Sequence, residues 1–337
     1  MKSQRITTQM VVVLILVLFH KPVFSQNFTW FSYERNSQPY IAEIHSSLVK
    51  LELVSINKFH PFYYKDISHE RPFIEVQMGY QLPVFTYEKQ GKQGRFQLSF
   101  YTPVSVLTLV DMFENVTAPV INNDYRFGGN IMFLFTPEKD KNGFLKNYYM
   151  TLVPMFHEST HIGDEFALHG YERIRDFSRI NVSYEAWQII AGINRCQNDQ
   201  NSSLSAEIGY QRLMPFKEGY YNIDSLEVKG RDITLSESRD LWFARFEYYY
   251  SLKFNKERLT ELVASTEVRR ETKFGYTLEN PEKRAWSMNL YLGCRIPIKN
   301  SQKQFGMYYR YYRGIVPYGQ FRDVNGFVLQ GISLIVN

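Results

Sequence analysis

The chain has 337 residues, 44% of them hydrophobic and 16% aromatic, with 25 Tyr, 26 Phe and a formal net charge of +5. Three of its 39 Lys and Arg residues, Lys2, Arg5 and Lys21, lie in the first 25, which leaves 36 basic against 34 acidic residues and a net of +2. That balance excludes a basic field for nucleic acid, and two cysteines, Cys196 and Cys294, exclude a disulfide framework.

The first residues read as a secretory signal. Lys2 and Arg5 give a positive start, Met10 to Phe19 is an apolar run, and Val23 and Ser25 place the cleavage before Gln26. The run is too short to span a membrane as a helix. No Cys stands near the cleavage site, so no lipid-anchored N-terminus is expected. Residues 26–45 are expected as a periplasmic N-terminal segment, and 26–337 as a single domain.

Alternating apolar and polar residues then predict about twelve strands, near 46–56, 72–83, 95–104, 124–136, 146–160, 179–193, 204–215, 239–254, 260–270, 285–298, 304–313 and 326–336. Residues 40–50 also allow a helical reading. In the second strand Ile74, Val76, Met78, Tyr80 and Leu82 oppose Glu75, Gln77, Gly79 and Gln81. In the tenth, Trp286, Met288, Leu290, Leu292, Cys294 and Ile296 oppose Ser287, Asn289, Tyr291, Gly293 and Arg295. Long connections (57–71, 105–123, 161–178, 216–238, 271–284, 314–325) alternate with shorter ones (84–94, 137–145, 194–203, 255–259, 299–303). Outer-membrane barrels keep this rhythm, with long loops outside and short turns in the periplasm. The predicted fold is all-β: a twelve-stranded antiparallel transmembrane barrel of a bacterial outer membrane. A secreted sandwich or jelly roll is the alternative. Membrane lipids and the outer-membrane insertion machinery are the expected partners. The chain ends in Asn337 after GISLIV, without the terminal aromatic residue common in such barrels.

The segment from Leu145 to Trp187 carries the candidate chemistry. On its first strand Tyr148, Met150, Leu152, Pro154 and Phe156 are expected on one face, and His157, Ser159 and His161 on the other. On its second, Ile180, Val182, Tyr184 and Ala186 oppose Arg179, Asn181, Ser183 and Glu185. A His-x-Ser pair on a strand puts both side chains on one side, Cα atoms roughly 6.5–7 Å apart. His157 can then act as general base toward Ser159 as nucleophile. A third group must hold the imidazole in its tautomer. Asn181 is the first candidate, Ser183 and Glu185 are alternatives, and Arg179 is an auxiliary oxyanion donor.

This stretch resembles two families of outer-membrane lipid hydrolases. His157-Glu158-Ser159 and Ser178-Arg179-Ile180-Asn181 are similar to the His-x-Ser and the Ser-Arg segment near an Asn in outer-membrane phospholipase A. The lipid A deacylase family also pairs His-x-Ser with a later Glu. Thr160-His161 stands where the phospholipase pattern has Asn-Gly. A wider resemblance, to the bacterial envelope family known as domain of unknown function 1207, rests on His157, Ser159, His161, Gly163, Asp164 and Glu165, and on Gly314, Pro317, Gly319, Gln320 and Phe321. It implies an envelope location.

Other roles compete for the same residues. Asp164 and Glu165 are candidate Ca²⁺ ligands, because calcium prefers oxygen. His157 and His161 at i and i+4 on a strand are too far apart to grip one zinc ion easily. Arg179, Glu185, Arg245, Glu247, Glu267, Arg269 and Arg295 could instead form a structural network filling the lumen, or line a narrow pore. The HESTHIGDE and PYGQFRD segments are expected to meet at the extracellular rim, with Gln320 and Arg322 bonding Asp164 or Glu165.

Overall fold

The computed structural model describes residues 28–31, 39–57, 72–112, 118–138, 147–163, 179–197, 202–214, 217–222, 229–234, 240–254, 257–272, 284–298, 303–318 and 325–336. The predicted signal segment lies outside them, as do Asp164, Glu165, Gln320 and Arg322, and with them the expected rim pairing. The strands in order are β1 (Phe28–Trp30), β2 (Val49–Asn57), β3 (Pro72–Gly91), β4 (Gly94–Val110), β5 (Val120–Pro137), β6 (Tyr148–Ile162), β7 (Arg179–Gln197) and β8 (Ser202–Leu213). Then come β9 (Lys217–Asn222), β10 (Lys229–Thr234), β11 (Asp240–Phe254), β12 (Glu257–Thr272), β13 (Arg284–Pro297), β14 (Gln304–Ile315) and β15 (Asn325–Val336).

Twelve of these, β2 to β8 and β11 to β15, form a closed antiparallel barrel. Each pairs with its neighbour along the chain, β8 pairs with β11, and β15 closes on β2 from Val328↔Asn57 to Val336↔Val49. The hairpin β9–β10 extends β7, and β1 adds to the lower part of β3. Strands β3 and β4 run well beyond their predicted ends, so residues 84–91 continue a strand and the turn shrinks to Lys92 and Gln93. The Val49↔Val336 end of the seam lies with the short turns and the Asn57↔Val328 end with the long connections, which in outer-membrane barrels are the extracellular ones.

The faces have the polarity of a membrane barrel. On β13, Trp286, Met288, Leu292 and Ile296 are exposed, whereas Ser287, Asn289, Tyr291 and Arg295 are buried. A soluble sandwich would bury the first set and expose the second. An exterior of large apolar side chains around a polar interior suits lipid outside and hydrogen bonding inside.

The lumen is filled. Arg310 bridges Glu52 and Glu75; Tyr291 and Ser333 donate to Glu52, each at 2.8 Å, and Tyr318 donates to Glu75 at 2.6 Å. A second network joins Arg245 to Glu207, Glu267 and Glu43, and Arg269 to Glu267, while Arg295 pairs with Glu261. The lumen role expected for Arg245, Glu247, Glu267, Arg269 and Arg295 is thus realised.

Residues 39–48 enter the same space. Their backbone is read by lumen side chains: the Ile41 amide donates to Glu247 (3.2 Å) and the Ala42 amide to Ser265 (3.0 Å). Lys50 donates to the Ile41 carbonyl, Asn289 to that of Ala42 and Gln77 to that of Ser46, each at 2.7 Å. With its amides and carbonyls so engaged, the segment makes turns and bends rather than the alternative helix over 40–50, and β2 starts at Val49 instead of residue 46. Above it, Ile44, Val316, Tyr318, Phe327 and neighbours close the upper lumen with an apolar cluster. Cys294 on β13 is a free thiol, with three barrel strands between it and β7, which carries Cys196.

Candidate active site

The site is made by a break in alternation on β6. Along Tyr148, Met150 and Leu152 side chains point outward, and along Tyr149, Thr151 and Val153 inward. The pairing with β7 then shifts register between Val153 and Phe156. Pro154, which has no amide to donate, sits in this bulge. Above it the parity is reversed: Phe156, Glu158 and Thr160 are buried, and His157, Ser159 and His161 face out. Gly128 stands opposite Phe156 on β5, where a Cβ would come within 2.6 Å of the Phe156 Cβ, so glycine lets the strands close over the bulge.

Two expectations are corrected here. Phe156 does not share a face with Tyr148, Met150 and Leu152, because the bulge inserts a residue and flips everything after it. Glu185 is not part of the lumen network; it projects outward beside His157.

At this place polar side chains face outward, with a small apolar cluster behind them. Inside lies an apolar cluster of Val153, Phe156, Tyr184, Ala186 and Leu213. Outside lie His157, Ser159, His161, Ser183 and Glu185. The register sets His157 opposite Glu185 and Ser159 opposite Ser183. His157 Nδ1 is 3.1 Å from Glu185 Oε1, and His157 Nε2 is 3.2 Å from Ser183 Oγ. The Ser159 hydroxyl instead pairs with His161 Nε2 at 3.1 Å. Both side chains of the His157–Glu185 pair are about a quarter exposed, at 26% and 23%. A carboxylate accepting from Nδ1–H fixes the tautomer that leaves Nε2 free to take a proton from a hydroxyl.

Aromatic rings surround the pair. Phe127 on β5 lies 5.2 Å from the His157 ring and Tyr125 lies 5.8 Å from that of His161. One outward step below Glu185 is Trp187, which begins a row with Tyr210 and Trp242 at centroid separations of 5.4 and 4.6 Å. Such rows mark the membrane interface. From inside, Glu158 meets His45 of the lumen segment at 3.7 Å, and Arg126 lies 4.0 Å over the Phe156 ring. These contacts hold β6 from behind the site.

Asn181 and Arg179 belong to the top of β7, where Asn181 pairs with Gly219 and Arg179 with Tyr221 of β9; their side chains lie outside the described residues. Ser183 was legible only as an alternative orienting group, because its nearness to His157 depends on register. Among the described residues no group of three or more His, Cys, Asp or Glu is placed to hold a metal.

No known family model matches the chain, and no curated protein does. Among solved structures it is similar to the outer-membrane phospholipase of Salmonella typhi, a dimer with bound calcium, at a TM-score of 0.45 and 10% identity over 87% of this chain and 91% of that one. The outer-membrane phospholipase A of Escherichia coli gives a TM-score of 0.45 and 10% identity over 87% and 93%. The translocator domain of the autotransporter NalP from Neisseria meningitidis gives 0.41 and 12% over 86% and 85%. What these chains share with this one is the architecture of an outer-membrane barrel.

Proposed function

We propose that the chain is an outer-membrane hydrolase of lipid esters, with Ser183 as nucleophile, His157 as general base and Glu185 as the group that orients and charges the imidazole. The observation that carries this reading is the outward-facing Ser183–His157–Glu185 relay, set just above an aromatic row on the outer face. Polar groups on a lipid-facing surface are costly and mark function. A relay just above an interfacial aromatic row would meet the glycerol or sugar esters of an outer-leaflet lipid, either phospholipid or lipid A.

In the first step Ser183 Oγ attacks the ester carbonyl carbon while its proton passes to His157 Nε2. The ester C–O bond breaks, the imidazolium gives its proton to the departing alcohol, and the acyl group stays on Ser183. Water then attacks the acyl carbon, yields its proton to Nε2, and frees the fatty acid and Ser183. Phe127 and Met155, exposed beside and below His157, give the acyl chain an apolar surface. The assignment read from the sequence, Ser159 with Asn181, requires His157 to leave Ser183. Asp164 and Glu165 have the oxygen chemistry for calcium.

The test is release of fatty acid from phospholipid and from lipid A by the purified barrel, with and without Ca²⁺, beside Ser183→Ala. Unchanged activity in that variant rejects the mechanism. Glu185→Gln keeps the shape of the pair but cannot stabilise imidazolium. Its kcat is expected to fall roughly 10²–10⁴-fold with KM little changed.

A pore is the competing use of the fold. Among the described residues the lumen segment and the two ion networks cross the interior, and one cavity beside the segment has about 70 Å³, room for a few waters. The purified protein is therefore expected to give no discrete conductance steps in planar bilayers. Steps at physiological salt would restore the pore.

A further inference from the structure

Away from the β6–β7 site, the outer face of β12 to β15 is uncharged along most of its height. Among the described residues, the outward side chains there include Leu262, Val268, Met288, Leu292, Met307, Tyr309, Ile332 and Leu334. Among the described side chains of these strands two charges interrupt this face, Arg270 and Arg313, both exposed and both near the extracellular ends of their strands. They flank β13. Arg270 pairs in register with Trp286 and Arg313 with Met288. The Arg270 guanidinium lies 5.8 Å over the Trp286 ring, and that ring is 65% exposed, among the most exposed large side chains described. No described carboxylate shares this outward surface. The carboxylates of β12 that are described, Glu261, Glu267 and Glu271, bond to partners turned inward or buried: Arg295, Arg245 and Ser287.

We propose that Arg270, Trp286 and Arg313 form a binding site for the phosphate group of an outer-leaflet lipid. Trp286 seats the site at the interface, where indole rings settle. The two arginines flank one strand at its upper end, two strand spacings of roughly 4.8 Å apart, a span that two long side chains can bridge around one group. Planar forks match phosphate oxygens, and the apolar face below takes the acyl chains. Nothing in this requires the hydrolytic relay, which lies four strands around the barrel.

The experiment uses the full chain in neutral detergent micelles, titrated with dansyl-labelled phosphatidylglycerol, with unlabelled lipid A and inorganic phosphate as competitors and labelled diacylglycerol as the uncharged control. Energy transfer from tryptophan to dansyl reports binding, and Trp286→Phe identifies the donor. Saturable transfer from Trp286 is expected with the phosphodiester lipid and not with diacylglycerol. Lipid A should displace the probe and millimolar phosphate should not. Arg270→Gln and Arg313→Gln should each weaken binding about fivefold and act together in the double variant. The double Lys variant should keep most of the affinity lost with Gln. Equal binding by the double Gln variant, equal binding of diacylglycerol, or displacement by phosphate alone would each overturn the site as a lipid-phosphate site. Retained heat-modifiable migration shows that the variants are folded.

Discussion

Ser183→Ala is expected to lower lipid ester hydrolysis at least about 10³-fold, to the level left by binding and surroundings without a nucleophile. The reason is local: Ser183 Oγ is the hydroxyl that His157 Nε2 reaches, at 3.2 Å, while Ser159 Oγ is engaged by His161. Ser159→Ala removes a hydroxyl opposite Ser183 and leaves the relay intact, so its loss should be smaller, about tenfold, from altered packing of the substrate against the strand. A fluorophosphonate separates the two serines independently of turnover. Mass spectrometry should find the adduct on Ser183 in the wild type and in Ser159→Ala, and none in Ser183→Ala. An adduct on Ser159, with activity lost in Ser159→Ala and kept in Ser183→Ala, would return the nucleophile to the His-x-Ser pair.

That contest shows what the residues alone could convey. Alternation along β13 and β3 gave strand and face together, because one side of each strand meets lipid and the other meets the lumen. The alternation of long and short connections gave closure and direction. Strand ends were less legible. In 84–91 the sequence YEKQG looks like a loop, yet β3 continues through it because β4 supplies hydrogen-bond partners as far as Gly91↔Gly94. The lumen segment was not legible at all: Tyr40 to Leu48 carries no periodicity, and what orders it is a set of backbone bonds to Glu247, Ser265, Asn289 and Gln77 from distant strands.

The site was half legible for a related reason. The residue types on β6 and β7 stood out, and His157, Ser183 and Glu185 were all named. Two things depend on pairing and not on sequence order. One is the bulge at Pro154–Met155, which decides that His157 looks at lipid and Phe156 at the lumen. The other is the register His157↔Glu185, which brings the carboxylate to Nδ1 and puts Ser183 within reach of Nε2. A proline in the middle of a strand was the local signal for the first. The second has no local signal, since a slip of two residues would keep every face and change every partner.

Removing the side chain of Arg310 is expected to produce the largest loss of stability in the barrel. Arg310 is buried and lies on β14, and its guanidinium holds Glu52 on β2 and Glu75 on β3. It therefore ties the last strands to the first ones across β15, over the seam where the barrel closes. Tyr291, Ser333 and Tyr318 also point their hydroxyls at these two carboxylates, but none carries a positive charge. In Arg310→Ala the two carboxylates would be left buried with the single charge of Lys50 beside them, one positive charge against two negative. Breaking a buried ion pair from one side costs about 3–5 kcal/mol. Urea unfolding of the protein in lipid vesicles, followed by the gel shift between folded and unfolded forms, should show that loss. Replacing one charge of each sign, Arg310→Met with Glu75→Gln, leaves Lys50 beside Glu52 and should recover most of it, because no buried charge then lacks its counter-charge. If Arg310→Ala unfolds at the wild-type urea concentration, closure is held by the β15–β2 ladder alone. If the double variant is as weak as the single one, the seam depends on the ion network itself and not merely on the absence of a lone buried charge.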